Sequence, residues 1–150
     1  MLSAGSAGLF VLGAGSSYRL RNPYDAAVVH YLQLWFAWPE EGPPLRETIS
    51  LDVEKRNQLA EIQDCAGDRF RLRLRIGVFD EGASAHMPIA EGDGLFAFVV
   101  QGTFAMDEYR LEAGDGLALW NRPEAHFRAL ANDALLLLAV MGPVDAGPQS

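Results

Sequence analysis

The sequence predicts an all-β fold in which short strands form a sandwich or a barrel. From position 95 to position 141, short apolar runs alternate with turns, and the runs recur about every 8–12 residues, as is typical of such folds. The turns carry residues that favour tight chain reversal, as in Gln101-Gly102, Asp107-Glu108 and Ala113-Gly114-Asp115-Gly116. This pattern indicates a series of consecutive short strands.

Length and composition narrow the class of protein. A chain of 150 residues with 49% hydrophobic and 21% charged residues is expected to form one globular domain. The net charge of -8 disfavours nucleic acid and anionic membranes as partners, because Lys and Arg dominate binding to both. The single Cys65, between acidic neighbours, allows no internal disulfide and is not expected to be a reactive thiolate. No signal peptide and no membrane span are apparent in the sequence, so we predict a cytoplasmic protein.

The first apolar segment, Leu9 to Leu12, predicts a strand that enters the glycine turn Gly13-Ala14-Gly15. A comparison with the dinucleotide-binding fingerprint fails. Tyr18 stands where the third glycine belongs, and Pro23 disfavours a helix after the turn. A nucleotide site is therefore not predicted here.

The segment from Val28 to Trp38 has the strongest strand propensity of the chain, because it is rich in β-branched and aromatic residues. His30 lies within it, and a packed or hydrogen-bonded role is favoured there over a metal ligand. Further on, the sequence predicts a proline-rich loop at 39–44 and a short strand at Leu45–Leu51. A brief helix at Val53–Ile62, capped by Asp52, and a turn at Gln63–Asp68 are predicted to follow.

The segment from Arg69 to Val78 alternates arginine with apolar residues, and a period of two assigns them to opposite faces of a strand. Phe70, Leu72, Leu74 and Ile76 form one face. We predict that this face packs on the core and that the arginines face solvent. The alternative is that the arginines pair with carboxylates of a second subunit.

Few residues are available for catalysis or metal binding. His30, His86 and His126 are the only imidazoles, and the motifs H-x-H, H-E-x-x-H, C-x-x-C and G-x-S-x-G do not occur. A mononuclear metal site from His86, His126 and a carboxylate such as Glu91 or Asp80 stays open, because a barrel brings distant strands together.

The strand from Leu95 to Val100, the Gln101-Gly102 turn and the L-x-A-G-D-G motif at 111–116 resemble the C-terminal cupin domain of the pirin family. The earlier residues 11–44, with Asn22-Pro23 and the LQLWF strand, are similar to the end of that family's N-terminal cupin. The family pairs two cupin barrels, which are double-stranded β-helices, and some members are quercetin 2,3-dioxygenases. The resemblance implies a jelly-roll-like cupin barrel with an N-terminal β extension and one short helix.

The resemblance also implies where family metal ligands would fall, and this chain departs from the pattern there. The positions of the family's H-x-E fall at about Tyr18 and Leu20, and the usual cupin glutamate falls near Leu95. His126 lies one residue out of register, and His86 begins an H-x-P instead of an H-x-H. We therefore expect no metal ligands, no catalytic residues and no cofactor.

The predicted organisation is an extension (1–45), a connecting segment (46–68), the cupin barrel (69–143) and a frayed tail (144–150). Most of the large residues, such as Phe96, Phe104 and Phe127, are expected to fill the interior of the barrel. The candidates for a ligand pocket are His86, Phe98, Trp120 and His126.

The leading functional hypothesis is a metal-free pirin-like cupin that binds a small molecule or a protein partner. We also predict a homodimer through the region from Val28 to Trp38, because its apolar strand would otherwise be exposed. The alternative is a metal-dependent, quercetinase-like dioxygenase or an isomerase that uses His86, His126 and a carboxylate. A third possibility is a purely structural subunit with a filled barrel.

Overall fold

A computed structural model describes residues 6–36, 45–51, 55–66 and 70–143 of the chain. Within these ranges the chain forms strands and no helix, which confirms the predicted all-β class. The strands are β1 (Ser6–Val11), β2 (Leu45–Ser50), β3 (Ala60–Ala66), β4 (Phe70–Phe79), β5 (Ser84–Pro88), β6 (Gly94–Gln101), β7 (Thr103–Met106), β8 (Tyr109–Glu112), β9 (Gly116–Trp120), β10 (Glu124–Ala129) and β11 (Ala134–Pro143).

Two antiparallel sheets enclose the core. The five-stranded sheet has the order β3-β4-β11-β6-β9, and the four-stranded sheet has the order β5-β10-β7-β8. Phe79 of the first sheet contacts Phe104 of the second edge to face, with ring centroids 5.8 Å apart. Both rings are fully buried in a core to which both sheets contribute. The arrangement is the jelly-roll-like sandwich expected for a cupin.

The N-terminal strand β1 pairs with β2 in a separate two-stranded antiparallel sheet. This agrees with the predicted strands at Leu9 to Leu12 and at Leu45 to Leu51. The loop predicted at 39–44 and the tail at 144–150 lie outside the described residues.

The predicted orientation of β4 is wrong. Arg75 pairs directly with Leu138 of β11, and Arg73 pairs with Val140. Since opposed residues of neighbouring strands point to the same side of the sheet, and Leu138 and Val140 are buried in the core, these arginines face into the sandwich. Leu74 instead faces away from the core.

A second apolar cluster explains this inversion. Leu72, Leu74 and Ala139 are buried on the outer face of the five-stranded sheet. Partly buried apolar side chains cover them, namely Phe36, Ile62, Phe96 and Met141. Both faces of β4 are therefore shielded: Leu72 and Leu74 pack on the outer face, and Phe79 packs in the core.

The predicted helix from Val53 to Ile62 is also wrong. Residues 60–66 form β3, which pairs with β4 through a register shift between Glu61 and Gln63. The turn predicted from Gln63 to Asp68 is, over its first residues, part of this strand. The long strand β4 offers a free edge for hydrogen bonding, and pairing with it outweighs the weak helix propensity of this segment.

Residues 28–36, which were predicted to be a strand, have no regular secondary structure. Their side chains are largely exposed, with Val28 at 82% and Trp35 at 67%. A strand needs a partner to satisfy its backbone groups, and no described strand pairs with this segment. High β-propensity alone did not produce a strand.

In the described part of the chain there is no helix with the length and apolar character needed to cross a bilayer. The cytoplasmic location stays a prediction.

Candidate functional site

The inside of the sandwich is filled with side chains. Phe79, Phe104, Phe127 and Met106 are each at most 1% exposed. The expectation that Phe104 and Phe127 fill the barrel is confirmed, but Phe96 faces the outer cluster instead. Metal ligands or a large ligand therefore have little room in the centre of the core.

The four predicted pocket residues lie on different surfaces. Phe98 pairs with Leu137 and stacks on Phe96 outside the five-stranded sheet. Trp120 is 68% exposed at the end of β9. His86 and His126 are exposed on the outer face of the other sheet. The structure thus brings two of the four together and separates the other two.

The two histidines form a cross-strand pair. His126 of β10 lies directly opposite His86 of β5, and the two rings stack with centroids 4.6 Å apart at 24°. Their neighbours Ala85, Met87 and Phe127 point inward and are buried, so the alternation of each strand directs the imidazoles outward.

Glu124 completes this cluster, because it precedes His126 by two residues on β10 and shares its face. One carboxylate oxygen lies 2.9 Å from Nε2 of His86, and the other lies 3.1 Å from Nε2 of His126. Hydrogen bonds from His126 and then from His86 hold the pKa of Glu124 below its usual value. One ligand atom from each of the three residues lies within 4.8 Å of the others.

Asp80 and Glu91, the carboxylates suggested from the sequence, are not the ones that join the histidines. Asp80 accepts hydrogen bonds from Arg56 and Asn57 instead, and Glu91 is not part of the cluster. The spacing E-x-H at 124–126 is the sequence signal for this group, because residues two apart on a strand share a face. The sequence did not predict β10 as a strand, and without the strand the shared face is not apparent.

A second feature is an open cleft between the sheets, along β5. Its volume is about 280 Å³. Phe79, Ala85 and Met87 form its apolar part, and its polar lining comes from Asn57, Gln58, Arg73, Arg75, Ser84 and His86. The described residues that line it include no carboxylate.

The inward-facing arginines of β4 surround one buried carboxylate. Asp93, whose side chain is fully buried, accepts from Nη2 of Arg71 at 2.9 and 3.0 Å and lies 3.5 Å from Nη2 of Arg73. Arg75 instead pairs with Glu61 of β3 at 2.9 Å.

Hydrogen bonding of these arginines is incomplete. Among the described residues, the buried Nε atoms of Arg71, Arg73 and Arg75 have no hydrogen-bond acceptor. Two of the three, Arg73 and Arg75, line the cleft. The contact of Arg71 and Arg73 with Asp93 depends on the inverted face of β4, so the alternation of residues in the sequence does not predict it.

Comparison with known proteins shows which domain and which folds this chain is similar to. Residues 70–140 match the model of the quercetinase C-terminal cupin domain. The crystal structure of YhhW from Escherichia coli superposes with a TM-score of 0.60 and 20% identity over 71% of this chain and 47% of that one. The structure of bacterial pirin YhhW in complex with nickel(II), from the same organism, gives a TM-score of 0.55 and 20% identity over 71% and 48%.

This chain thus spans about half the length of these two solved relatives. At such identity the likeness shows the fold. No curated protein matches the sequence significantly. The matched residues, 70–140, are those that build the sandwich from β4 to β11, and they confirm the predicted resemblance. Over residues 70–140 the chain is therefore similar to the C-terminal cupin domain of the pirin family.

Proposed function

We propose that this chain is a ligand-binding cupin and that its ligand is a small anion held in the cleft along β5. One observation carries the proposal: two arginine side chains with buried, unsatisfied Nε donors line an open cleft whose described lining has no carboxylate. Buried donors without acceptors are unfavourable by about 1–3 kcal/mol each. An anionic ligand in the cleft would supply the missing acceptors once the guanidinium groups turn toward it.

Charge and geometry both favour an anion. Arg73 and Arg75 are two residues apart on β4, so their guanidinium groups lie on the same side of the strand. Guanidinium groups bind carboxylates and phosphates through paired, charge-assisted hydrogen bonds. The Nη2 atom of Arg73 lies 3.5 Å from Asp93, and the Nη2 atom of Arg75 lies 2.9 Å from Glu61. These contacts orient the two guanidinium groups.

The size and the remaining lining indicate a small organic acid. The volume of about 280 Å³ lies near the lower end of the range for small-molecule pockets. Asn57, Gln58 and Ser84 offer neutral hydrogen-bonding groups, and Met87 and Phe79 offer an apolar wall. A carboxylate or phosphate on a short carbon skeleton fits this combination.

The test is thermal unfolding of the chain in citrate, malonate or inorganic phosphate at constant ionic strength. A ligand at about 100 times its dissociation constant stabilises the folded state by about 2.7 kcal/mol, which raises the Tm of a domain of this size by about 5–10 °C. Arg75→Gln should abolish the increase. Arg110→Gln, which changes an exposed arginine of β8, should retain it.

Two results would contradict the proposal. One is a wild-type Tm that none of the anions raises, and the other is an Arg75→Gln variant that responds as the wild type does. Isothermal titration calorimetry with any anion that raises Tm then gives the stoichiometry, which should be one per chain.

The enzymatic alternative, a metal-dependent dioxygenase or isomerase, has one observation in its favour. His86 and His126 do converge with a carboxylate, which is Glu124. However, the three side chains are half-exposed or more, and the cleft that His86 borders is open to water. Oxygenase chemistry at a site so exposed has little to orient the substrate, and we therefore favour the binding function.

A further inference from the structure

We propose that His86, Glu124 and His126 form a binding site for one divalent late first-row transition-metal ion, such as Zn²⁺, Ni²⁺ or Cu²⁺. The site lies on the outer face of the four-stranded sheet. It borders the arginine-lined cleft, since His86 belongs to the lining of both, but it does not depend on the proposed anion-binding function.

The backbone places the three side chains for a common ligand. His86 and His126 are direct cross-strand partners, and Glu124 is two residues before His126 on the same strand. In a tetrahedral site with metal–ligand bonds of about 2.0–2.1 Å, ligand atoms are about 3.3 Å apart. The carboxylate oxygens lie 2.9 and 3.1 Å from the two Nε2 atoms. One ligand atom from each residue lies within 4.8 Å of the others, so rotation of the exposed side chains would bring all three onto one ion.

The sheet holds this arrangement firmly. On both sides of the histidines, the chain is fixed by buried side chains, namely Ala85 and Met87 on β5 and Ala125 and Phe127 on β10. The imidazoles are themselves half-exposed or more, at 51% for His86 and 63% for His126. The backbone is thus preorganised, and the side chains are free to turn toward an ion.

The donor set selects the class of metal. Two imidazole nitrogens and one carboxylate suit Zn²⁺, Cu²⁺ and Ni²⁺, whereas Ca²⁺ and Mg²⁺ take oxygen ligands almost entirely. Three protein ligands leave at least one coordination position open, as in zinc sites that bind water or a further ligand. The exposure of Glu124, at 50%, makes that position reachable from solvent or from a second molecule.

The test is titration of the tag-free, chelator-treated full chain with ZnCl₂, NiCl₂ and CuCl₂ by isothermal titration calorimetry. We expect one ion per chain. Loss of an outer-shell partner alone weakens metal binding by about 10–100-fold, so His86→Ala and His126→Ala should each weaken it at least as much. His30→Ala is the matched control, since it removes an exposed imidazole from outside the cluster and should leave the affinity unchanged.

A spectroscopic readout separates this site from non-specific binding. With one equivalent of Cu²⁺, the electron paramagnetic resonance spectrum should show coupling to two imidazole nitrogens in the wild type and to one in His126→Ala. Circular dichroism of each variant checks that the fold persists, as expected for exposed residues. The proposal is overturned if no ion binds, or if binding and spectrum are the same in His86→Ala and His126→Ala as in the wild type.

Discussion

At the scale of single residues, Asp93 shows how much depends on one buried charge. Its side chain is fully buried and bridges Arg71 and Arg73. Room for it exists because residue 142 is glycine: a Cβ there would lie 1.8 Å from Oδ1 of Asp93. The ion pair and the glycine are therefore one structural unit, although 49 positions separate them in the sequence.

Gly142→Ala tests this unit. The added methyl must push Asp93 away from its arginines, and breaking a buried ion pair costs about 3–5 kcal/mol. Because Arg71 and Arg73 are about a quarter exposed, we expect a smaller loss in the free energy of unfolding, about 2–3 kcal/mol.

The measurement is urea unfolding followed by fluorescence. Gly13→Ala serves as the control, since a Cβ at that position meets only the hydroxyl of Ser16 at 4.0 Å. An unchanged stability of Gly142→Ala would contradict the contact between Asp93 and Gly142.

Asp80 makes stability depend on pH. Hydrogen bonds from Arg56 and Asn57 hold the pKa of this carboxyl below 3.8. A carboxyl with a lowered folded-state pKa stabilises the fold above its unfolded pKa, and the stabilisation is lost as the pH falls through the folded value. The stability difference between wild type and Asp80→Asn should thus be full near neutral pH and shrink below about pH 3.8.

Thermal unfolding at a series of pH values, from neutral pH to well below the usual pKa of an aspartate, measures this difference. Glu91→Gln, at an exposed turn position, is the control and should not reproduce the pH-dependent difference. A gap in Tm between wild type and Asp80→Asn that is constant over the whole range would refute the assignment.

At the scale of elements, β4 is covered on both faces. Its arginines face into the sandwich. Leu72 and Leu74 pack in the outer cluster with Phe36, which belongs to the N-terminal segment (residues 6–36). Phe36 therefore attaches this segment to the five-stranded sheet. The outer face thus buries Leu72 and Leu74, whereas Phe79 at the end of the strand is buried in the barrel core.

A double-mutant cycle of Leu74→Ala and Phe36→Ala tests the attachment. Leu74→Ala should lower the free energy of unfolding by about 2–5 kcal/mol, as for other buried leucines. Since the two residues share a cluster, their effects should be coupled by about 0.5–3 kcal/mol. Leu136→Ala, in the barrel core, should be additive with Phe36→Ala. Additivity of the first pair would place Phe36 away from this cluster.

At the scale of the whole molecule, most of the exposed large apolar side chains of the described residues belong to the N-terminal segment. Tyr31 and Trp35 are 68% and 67% exposed, and Val28 is 82% exposed. Many large apolar side chains exposed within one segment are typical of an interface. The homodimer predicted from the sequence is therefore kept as a proposal, with an irregular segment in place of the predicted strand as the contact.

Light scattering after size exclusion at micromolar concentration tests the dimer. We expect twice the chain mass for wild type and a single chain mass for the double variant Tyr31→Glu, Trp35→Glu. Trp120→Glu changes an equally exposed tryptophan on β9 and should stay dimeric. A monomeric wild type would contradict the proposed homodimer.

The sequence by itself determined the strands whose signals are local. The runs at β6 to β9 and β11 follow from apolar residues between glycine and aspartate turns, and Asp107 indeed adopts a left-handed φ of 51° in its turn. The cupin resemblance also rested on these local motifs. The short strands β5 and β10 were missed, because polar residues alternate with alanine and methionine there and give a weak apolar signal.

Only the tertiary structure decided what these strands face. A period of two gives β4 two faces but not which one is inward, and that choice depends on β11, Asp93 and Phe36. Likewise, His86 and Glu124 are 38 positions apart, and only the pairing of β5 with β10 makes them neighbours. Long-range pairing fixes the orientation of a strand, and both candidate sites of this protein arise from such pairing.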